Sequence, residues 1–184
     1  MEIPLPNKKY NIIYADPPWS FKDTFYQNGG RARRNINEQY PTMSIKDIGN
    51  LPVKNIADKD CILFLWTTDS HLPDSLKVIH SWGFKYKTIG FTWVKQYKSG
   101  SYCYNFSSYT LKSTEICLIG LKGKLKNIKK KHNIKNLVFA ERTTHSKKPL
   151  EIRERIVQFC GDLPRIELFA RQKADDWDAW GNEV

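Results

Sequence analysis

Tyr10-Asn11-Ile12-Ile13-Tyr14-Ala15-Asp16-Pro17-Pro18-Trp19 is a short, β-prone, mostly apolar run that ends abruptly at an acid and two prolines. Proline has no N–H to give a sheet, so the strand stops at Ala15 and the chain leaves it along a fixed, extended path. Further on, Cys61 to Trp66 is continuously apolar, the pattern of a strand covered on both faces. Tyr86 to Val94, Glu115 to Leu121, Asn136 to Ala140 and Arg165 to Phe169 read as further strands. Between them, Ser70 to Ser81 sets Leu72, Leu76 and Ile79 at helical spacing. After Pro149, Ile152, Ile156, Phe159 and Cys160 line one helical face, Glu151 and Arg155 form an i,i+4 pair, and Gly161 is a fitting stop. Strands alternating with helices predict an α/β fold, with a mainly parallel central sheet flanked by helices and ligands at the carboxyl ends of its strands.

The 184 residues predict a single domain over 1–184, long enough to bury a proper core. A composition of 40% hydrophobic and 27% charged residues excludes a disordered polymer, a collagen-like fibre and a small disulfide scaffold. No apolar run nears the roughly 18 residues of a membrane span. The start, MEIPLPNKKY, lacks the basic-then-apolar design of a signal peptide, so a cytoplasmic protein without a membrane partner is expected. Cys61, Cys103, Cys117 and Cys160 are scattered, as are the histidines, so no metal site is expected and the thiols read as reduced and mostly buried. The net charge of +11 sits in one segment: Lys95 to Lys148 holds 13 basic residues and two acids, and the rest of the chain sums to zero. Such a concentration suits a polyanion, with a solvated lysine-rich surface as the plain alternative. Three stretches read as loops: Ser20 to Tyr40, Lys95 to Lys112, and Lys122 to Lys135, which has seven lysines and no acid.

Asp16-Pro17-Pro18-Trp19 is the sharpest chemical feature. A rigid turn leaves the Pro17 carbonyl free to accept a hydrogen bond, beside the Asp16 carboxylate and the flat face of Trp19. Two fixed acceptors next to a stacking surface suit a planar, amino-bearing heterocycle. The exocyclic amine of adenine is a poor nucleophile because its lone pair is delocalised into the ring. Holding both N–H bonds on fixed acceptors lets the nitrogen pyramidalise and aim that pair at an electrophile. Asp16 need not be a strong base, because the proton leaves once the nitrogen is cationic. A strand-ending turn with a core tryptophan is the plain alternative.

Asp16-Pro-Pro-Trp19, Tyr40-Pro-Thr-Met43, Phe64-Leu-Trp66, Trp82-Gly-Phe84, Trp93-Val-Lys95 and Glu115-Ile-Cys-Leu-Ile-Gly120 are followed by His145-Ser-Lys-Lys-Pro149, Ile166-Glu-Leu-Phe169 with Arg171, and Trp180-Gly-Asn182. In this order they resemble the MT-A70 family of S-adenosylmethionine-dependent N6-adenine methyltransferases, over roughly Tyr10 to Glu183. The resemblance implies a Rossmann-like methyltransferase fold with the permuted β-class motif order, the catalytic motif preceding the cofactor motif. It implies that Asp16, Pro17, Pro18 and Trp19 grip the target amine and that Asp16 also lies near the methionine end of the cofactor. By the same resemblance Lys148 holds the cofactor carboxylate, Glu167 and Arg171 hold the ribose, and Asn182 lies near the adenosine. A solvated Lys148 and an i,i+4 surface pair between Glu167 and Arg171 are the ordinary alternatives. This sequence departs from the family at the adenosine end, where Lys173-Ala174 replaces a His-Asn pair and Glu183 replaces a glutamine.

A base inside a duplex must be flipped out to be methylated, or offered on a single strand. Arg31, Arg33 and Arg34 follow the catalytic motif and are expected to hold flanking phosphates, with Tyr40 and Lys95 in the same substrate-facing set and Lys122 to Lys135 extending the track. Tyr97, Tyr102, Tyr104 and Tyr109 interleave aromatic rings with positive charge, each ring worth roughly 1–3 kcal/mol where a base stacks. The compact chain looks like the small phage or bacterial type, so DNA is the expected partner, with RNA or single-stranded DNA next. A non-catalytic nucleic-acid-binding subunit and a basic binding module are the other readings. A homodimer holding the duplex is also expected.

Overall fold

The computed structural model describes residues 4–20, 42–105, 109–143 and 147–184. Its centre is a seven-stranded sheet. In chain order the elements are β1 (Tyr10–Ala15), α1 (Ile45–Asn50), β2 (Ala57–Thr67), α2 (Leu72–Ser81), β3 (Lys85–Gln96) and β4 (Thr114–Lys122). They are followed by β5 (Leu137–Glu141), α3 (Glu151–Cys160), β6 (Arg165–Leu168) and β7 (Asp178–Trp180). Across the sheet the order is β5-β3-β4-β2-β1-β6-β7. β1 pairs in parallel with both β2 and β6, and only β4 runs against its neighbours. The mixed but mainly parallel sheet flanked by helices is consistent with the Rossmann-like methyltransferase fold.

The continuous apolar runs have the predicted cause. On β1, Ile13 and Ala15 join one core with α1 and α2, through Ile48, Val78 and Ile79. Ile12 and Tyr14 join the opposite core with α3, through Ile152, Ile156 and Cys160. Both faces are covered, so every position wants an apolar side chain. The four cysteines are free and buried, as expected. Among the described residues no group of metal-binding side chains occurs, and no helix is long and apolar enough to cross a membrane.

Two elements carry too little sequence signal to be read. α1 has six residues, capped by the Ser44 hydroxyl accepting from the Asp47 amide at 3.1 Å, and is too short to show a period. β7 has three residues, and its pairing with β6 makes it a strand.

The reversed β4 splits the basic segment. The parallel strands end at one edge of the sheet, with Asp16 after β1, Lys95 in β3 and Glu167 in β6, and β4 begins there with Glu115. β4 then runs nine residues, about 30 Å at roughly 3.3 Å per residue, to the other edge. Lys122 to Lys135 therefore lies at the amino-terminal edge, where the Lys124 amide donates to Asp60 at 2.7 Å and the Lys122 ammonium to the Ala57 carbonyl at 2.9 Å. It does not extend a track from the catalytic motif, as the sequence suggested, because an antiparallel strand carries it away. The described parts of Lys95 to Lys112 stay at the carboxyl edge and hold more structure than a bare loop, with bridges pairing Gln96 with Tyr102 and Asn105 with Lys112.

Gly123 makes the turn at the far edge, with φ +74°, and a Cβ there would lie 2.2 Å from the Lys59 carbonyl oxygen. Gly100 has φ +83° and open space around it. Gly123→Ala is expected to cost more than about 2 kcal/mol, through strain plus a backbone clash, and Gly100→Ala about 1 kcal/mol from strain alone. Urea unfolding of the two variants measures the difference, and equal losses would contradict this account of the turn.

Candidate active site

Asp16 is the first residue past β1, at the carboxyl edge and beside the point where the sheet reverses. The turn after it is tight: the Trp19 amide donates to the Pro17 carbonyl at 2.9 Å, and the Met43 amide to the Pro18 carbonyl at 2.9 Å. The Pro17 carbonyl is thus already engaged, contrary to the sequence reading, although its second lone pair remains. Trp19 is corrected more fully. It is only 5% exposed, its ring stacks on His71 with centroids 5.7 Å apart, and its Nε1 donates to the Trp66 carbonyl at 3.1 Å. A ring so little exposed, with one face on His71, is an anchor for the turn and not an open stacking face. His71 adds a second tie, its Nε2 lying 3.2 Å from the Ser20 carbonyl and its Nδ1 2.9 Å from the Thr68 hydroxyl.

Four charged side chains meet beside this turn. The Lys148 ammonium donates to Asp16 Oδ2 at 2.6 Å and lies 3.1 Å from Glu115 Oε2. The other oxygen of Glu115 binds the ammonium of Lys95. Lys95 lies over the Trp93 ring at 5.2 Å, and Lys148 over the Trp66 ring at 5.4 Å. The result is an alternating chain, Lys95–Glu115–Lys148–Asp16, most of it out of water and neutral in sum. Burial alone would raise the Glu115 carboxyl; Lys148 and Lys95 reverse that and hold it below its ordinary value. Burial alone would lower Lys148, and Asp16 and Glu115 instead hold it above its ordinary value. Asp16 Oδ1 accepts no hydrogen bond from the described residues.

Of the positions expected from sequence, Asp16 and Lys148 come together directly. Lys95 joins them, but as a buried partner of Glu115 and not as an exposed phosphate contact: a β3 side chain facing the core at this edge cannot reach solvent without breaking the pair. Glu167 sits on β6 in register with Tyr14, and its carboxylate is bound by Arg153 of α3, with Nε at 2.7 Å. The alternative i,i+4 surface pair with Arg171 is not formed; Arg171 Nε lies 4.0 Å from Glu183 instead. Burial raises the Glu167 carboxyl despite Arg153. Arg171 and Asn182 are exposed, following β6 and β7 at the same edge. Arg31, Arg33, Arg34 and Tyr40 lie outside the described residues.

Glu115, quoted only as the start of a motif, and Arg153 were given no site role from sequence. Glu115 had a signal: it is one of two acids among 13 basic residues and opens an otherwise apolar strand. Arg153 had none beyond its place on a helix. A cleft of about 560 Å³ opens along α3 between Arg153, Arg165 and Trp177 without touching Asp16, Glu115 or Lys148. The charge chain, not the cleft's size, marks the candidate site.

Because Glu115 is held below its ordinary value, its contribution to stability is complete above about pH 4.3 and is lost as pH falls through the depressed value. Glu115→Gln leaves Lys95 and Lys148 partly unpaired and is expected to cost about 3 kcal/mol at pH 7. It should also flatten the fall in stability between about pH 5 and pH 2 relative to the unmodified protein. Urea unfolding across that range tests this, and parallel pH curves for the two proteins would contradict it.

The MT-A70 family pattern matches residues 10–183. The Type II methyltransferase M.MunI from a Mycoplasma species is 38% identical over 98% of this chain and 80% of its own length. The N(6)-adenine-specific methyltransferase METTL4 of Homo sapiens is 29% identical over 96% of this chain, which spans 38% of that protein. The N6-adenosine-methyltransferase non-catalytic subunit MTB of Arabidopsis thaliana is 31% identical over 62% of this chain and 14% of its own length. With the family's motifs running in order from the first strand almost to the last residue, the chain belongs to the MT-A70 family.

Proposed function

We propose that this chain transfers a methyl group from S-adenosylmethionine to the N6 amine of adenine in DNA, acting as one domain over 1–184. The observation that carries the reading is the Asp16 carboxylate at the carboxyl end of β1, one oxygen fixed by Lys148 and the other open among the described residues. The donor set suits a zwitterionic sulfonium. Lys148 has three N–H bonds, two of them engaged by Asp16 and Glu115, which leaves one for a carboxylate, and Asp16 offers negative charge nearby. Glu167, Arg171 and Asn182 at the ends of β6 and β7 are the proposed holders of the ribose and adenosine. Bound there, S-adenosylmethionine supplies an electrophilic methyl group.

The chain's own part is to orient the nucleophile. Asp16 Oδ1 and the second lone pair of the Pro17 carbonyl accept the two N–H bonds of the target amine, turning the nitrogen lone pair towards the methyl group. The surplus proton on nitrogen then passes to the Asp16 carboxylate and on to solvent. Lys148 keeps that carboxylate in place, and the packed Trp19 keeps the turn from moving. Around the site, Tyr97, Tyr102 and Tyr104 are half exposed and Tyr109 is 96% exposed, leaving rings bare for bases at the edge where the amine is held. Arg31, Arg33, Arg34 and Tyr40 are proposed to complete the substrate contacts.

DNA is favoured because the Mycoplasma type II methyltransferase is similar over most of both chains. A cytoplasmic location and a homodimer on duplex DNA belong to the same reading.

Calorimetry with S-adenosylmethionine, followed by methyl-transfer kinetics on adenine-containing duplex DNA, single-stranded DNA and RNA, tests the proposal. Binding followed by preferred transfer to DNA is expected. Preferred transfer to RNA would replace the substrate, and binding without transfer to any of them would favour a non-catalytic subunit. Asp16→Ala should lower kcat at least about a hundredfold. Retained turnover in that variant would sink the mechanism.

A further inference from the structure

The far edge of the sheet carries charge that forms no ion pair among the described residues. Lys124, Lys126, Lys129, Lys130, Lys131 and Lys135 are all exposed, and none is ion-paired among the described residues. Several cations at the reacting edge are engaged. Lys95 and Lys148 bind Glu115, Lys112 lies 3.0 Å from Asp69, and Arg142 donates to Asn105 at 2.7 Å.

The lysine-rich stretch is also held in place. Ile128 is fully buried in the core beneath α3. The Asp60 carboxylate accepts from the Lys124 amide at 2.7 Å and from the Asn127 side chain at 2.6 Å. The Lys130 amide donates to the Phe159 carbonyl at 2.7 Å. Asp60 is thus taken up largely by backbone and amide, and its single charge, which acts on Lys124, leaves the strip strongly basic. Fixing six like charges on an anchored backbone is self-repulsive unless a polyanion meets them.

We propose that this strip is a second nucleic-acid contact, one that grips the phosphodiester backbone of duplex DNA at an edge separate from the one where the amine is modified. The inference rests on DNA being the substrate. Lysine is a point charge on a flexible stem and reaches phosphates without reading bases, so the contact is independent of sequence. The strip lies about 30 Å from the reacting edge along β4, and duplex DNA is stiff over about 50 nm. The two edges therefore meet different stretches of nucleic acid.

The test pairs two double variants with equal change in charge. Lys126→Glu with Lys129→Glu alters the strip. Lys46→Glu with Lys77→Glu alters α1 and α2, which pack on the other face of the sheet. Binding is measured on a duplex of G·C pairs alone, which offers no target amine, and kcat on saturating adenine-containing duplex. The strip variant should bind the G·C duplex roughly tenfold more weakly, with a salt slope shallower by about 1.8, while kcat is unchanged and the control pair binds normally. Equal weakening in both pairs would reduce the effect to overall charge and overturn the proposal. Unchanged binding in the strip variant, or a fall in its kcat, would overturn it too. Should the unmodified protein transfer no methyl to DNA, the substrate reading fails by itself, and the G·C binding comparison still decides whether the strip holds DNA.

Discussion

Lys148 has to stay charged where water hardly reaches it, and it does so because Asp16 and Glu115 both bind its ammonium. Everything at the reacting edge depends on that pairing. An unpaired buried cation would lose its proton or pull the local structure open, and either would release the carboxylate of Asp16. Lys95 extends the same logic by binding the second oxygen of Glu115. Four side chains from β3, β4, the segment before α3 and the end of β1 satisfy one another in a single alternating line. The site is thereby organised by the fold's own charges.

The sheet's one reversed strand makes the line possible. Because β4 runs against its neighbours, its first residues arrive at the edge where the parallel strands end, and Glu115 comes to stand between Lys95 and Lys148. The same reversal sends the lysine-rich stretch after β4 to the opposite edge. A charge excess that is continuous in sequence is split in space. Lys95 is buried in the site and Lys148 is nearly so, and six further lysines lie exposed some 30 Å away by strand length.

Much of this could be read from the chain itself. Asp16-Pro17 fixes the end of β1, and the two-sided burial of β1 and β2 follows from apolar runs without alternation. That Asp16 and Lys148, 132 residues apart, belong to one site was legible only through the order of motifs, and their direct ion pair was not legible at all, since no local pattern links them. Trp19 was misjudged because a tryptophan after two prolines has the same sequence signature whether its ring faces a ligand or packs against His71. Lys95 was misjudged because charge counts do not reveal burial. Glu115 and Arg153 matter through partners that only the tertiary structure brings to them.

The central claim is that the fixed Asp16 carboxylate presents an exocyclic adenine amine to a methyl donor. Nucleoside analysis by mass spectrometry, after the protein is incubated with S-adenosylmethionine and DNA containing all four bases, tests it most directly. The account predicts N6-methyladenine as the new nucleoside. A methylated cytosine in its place, or methylation at a ring nitrogen of adenine, would contradict it.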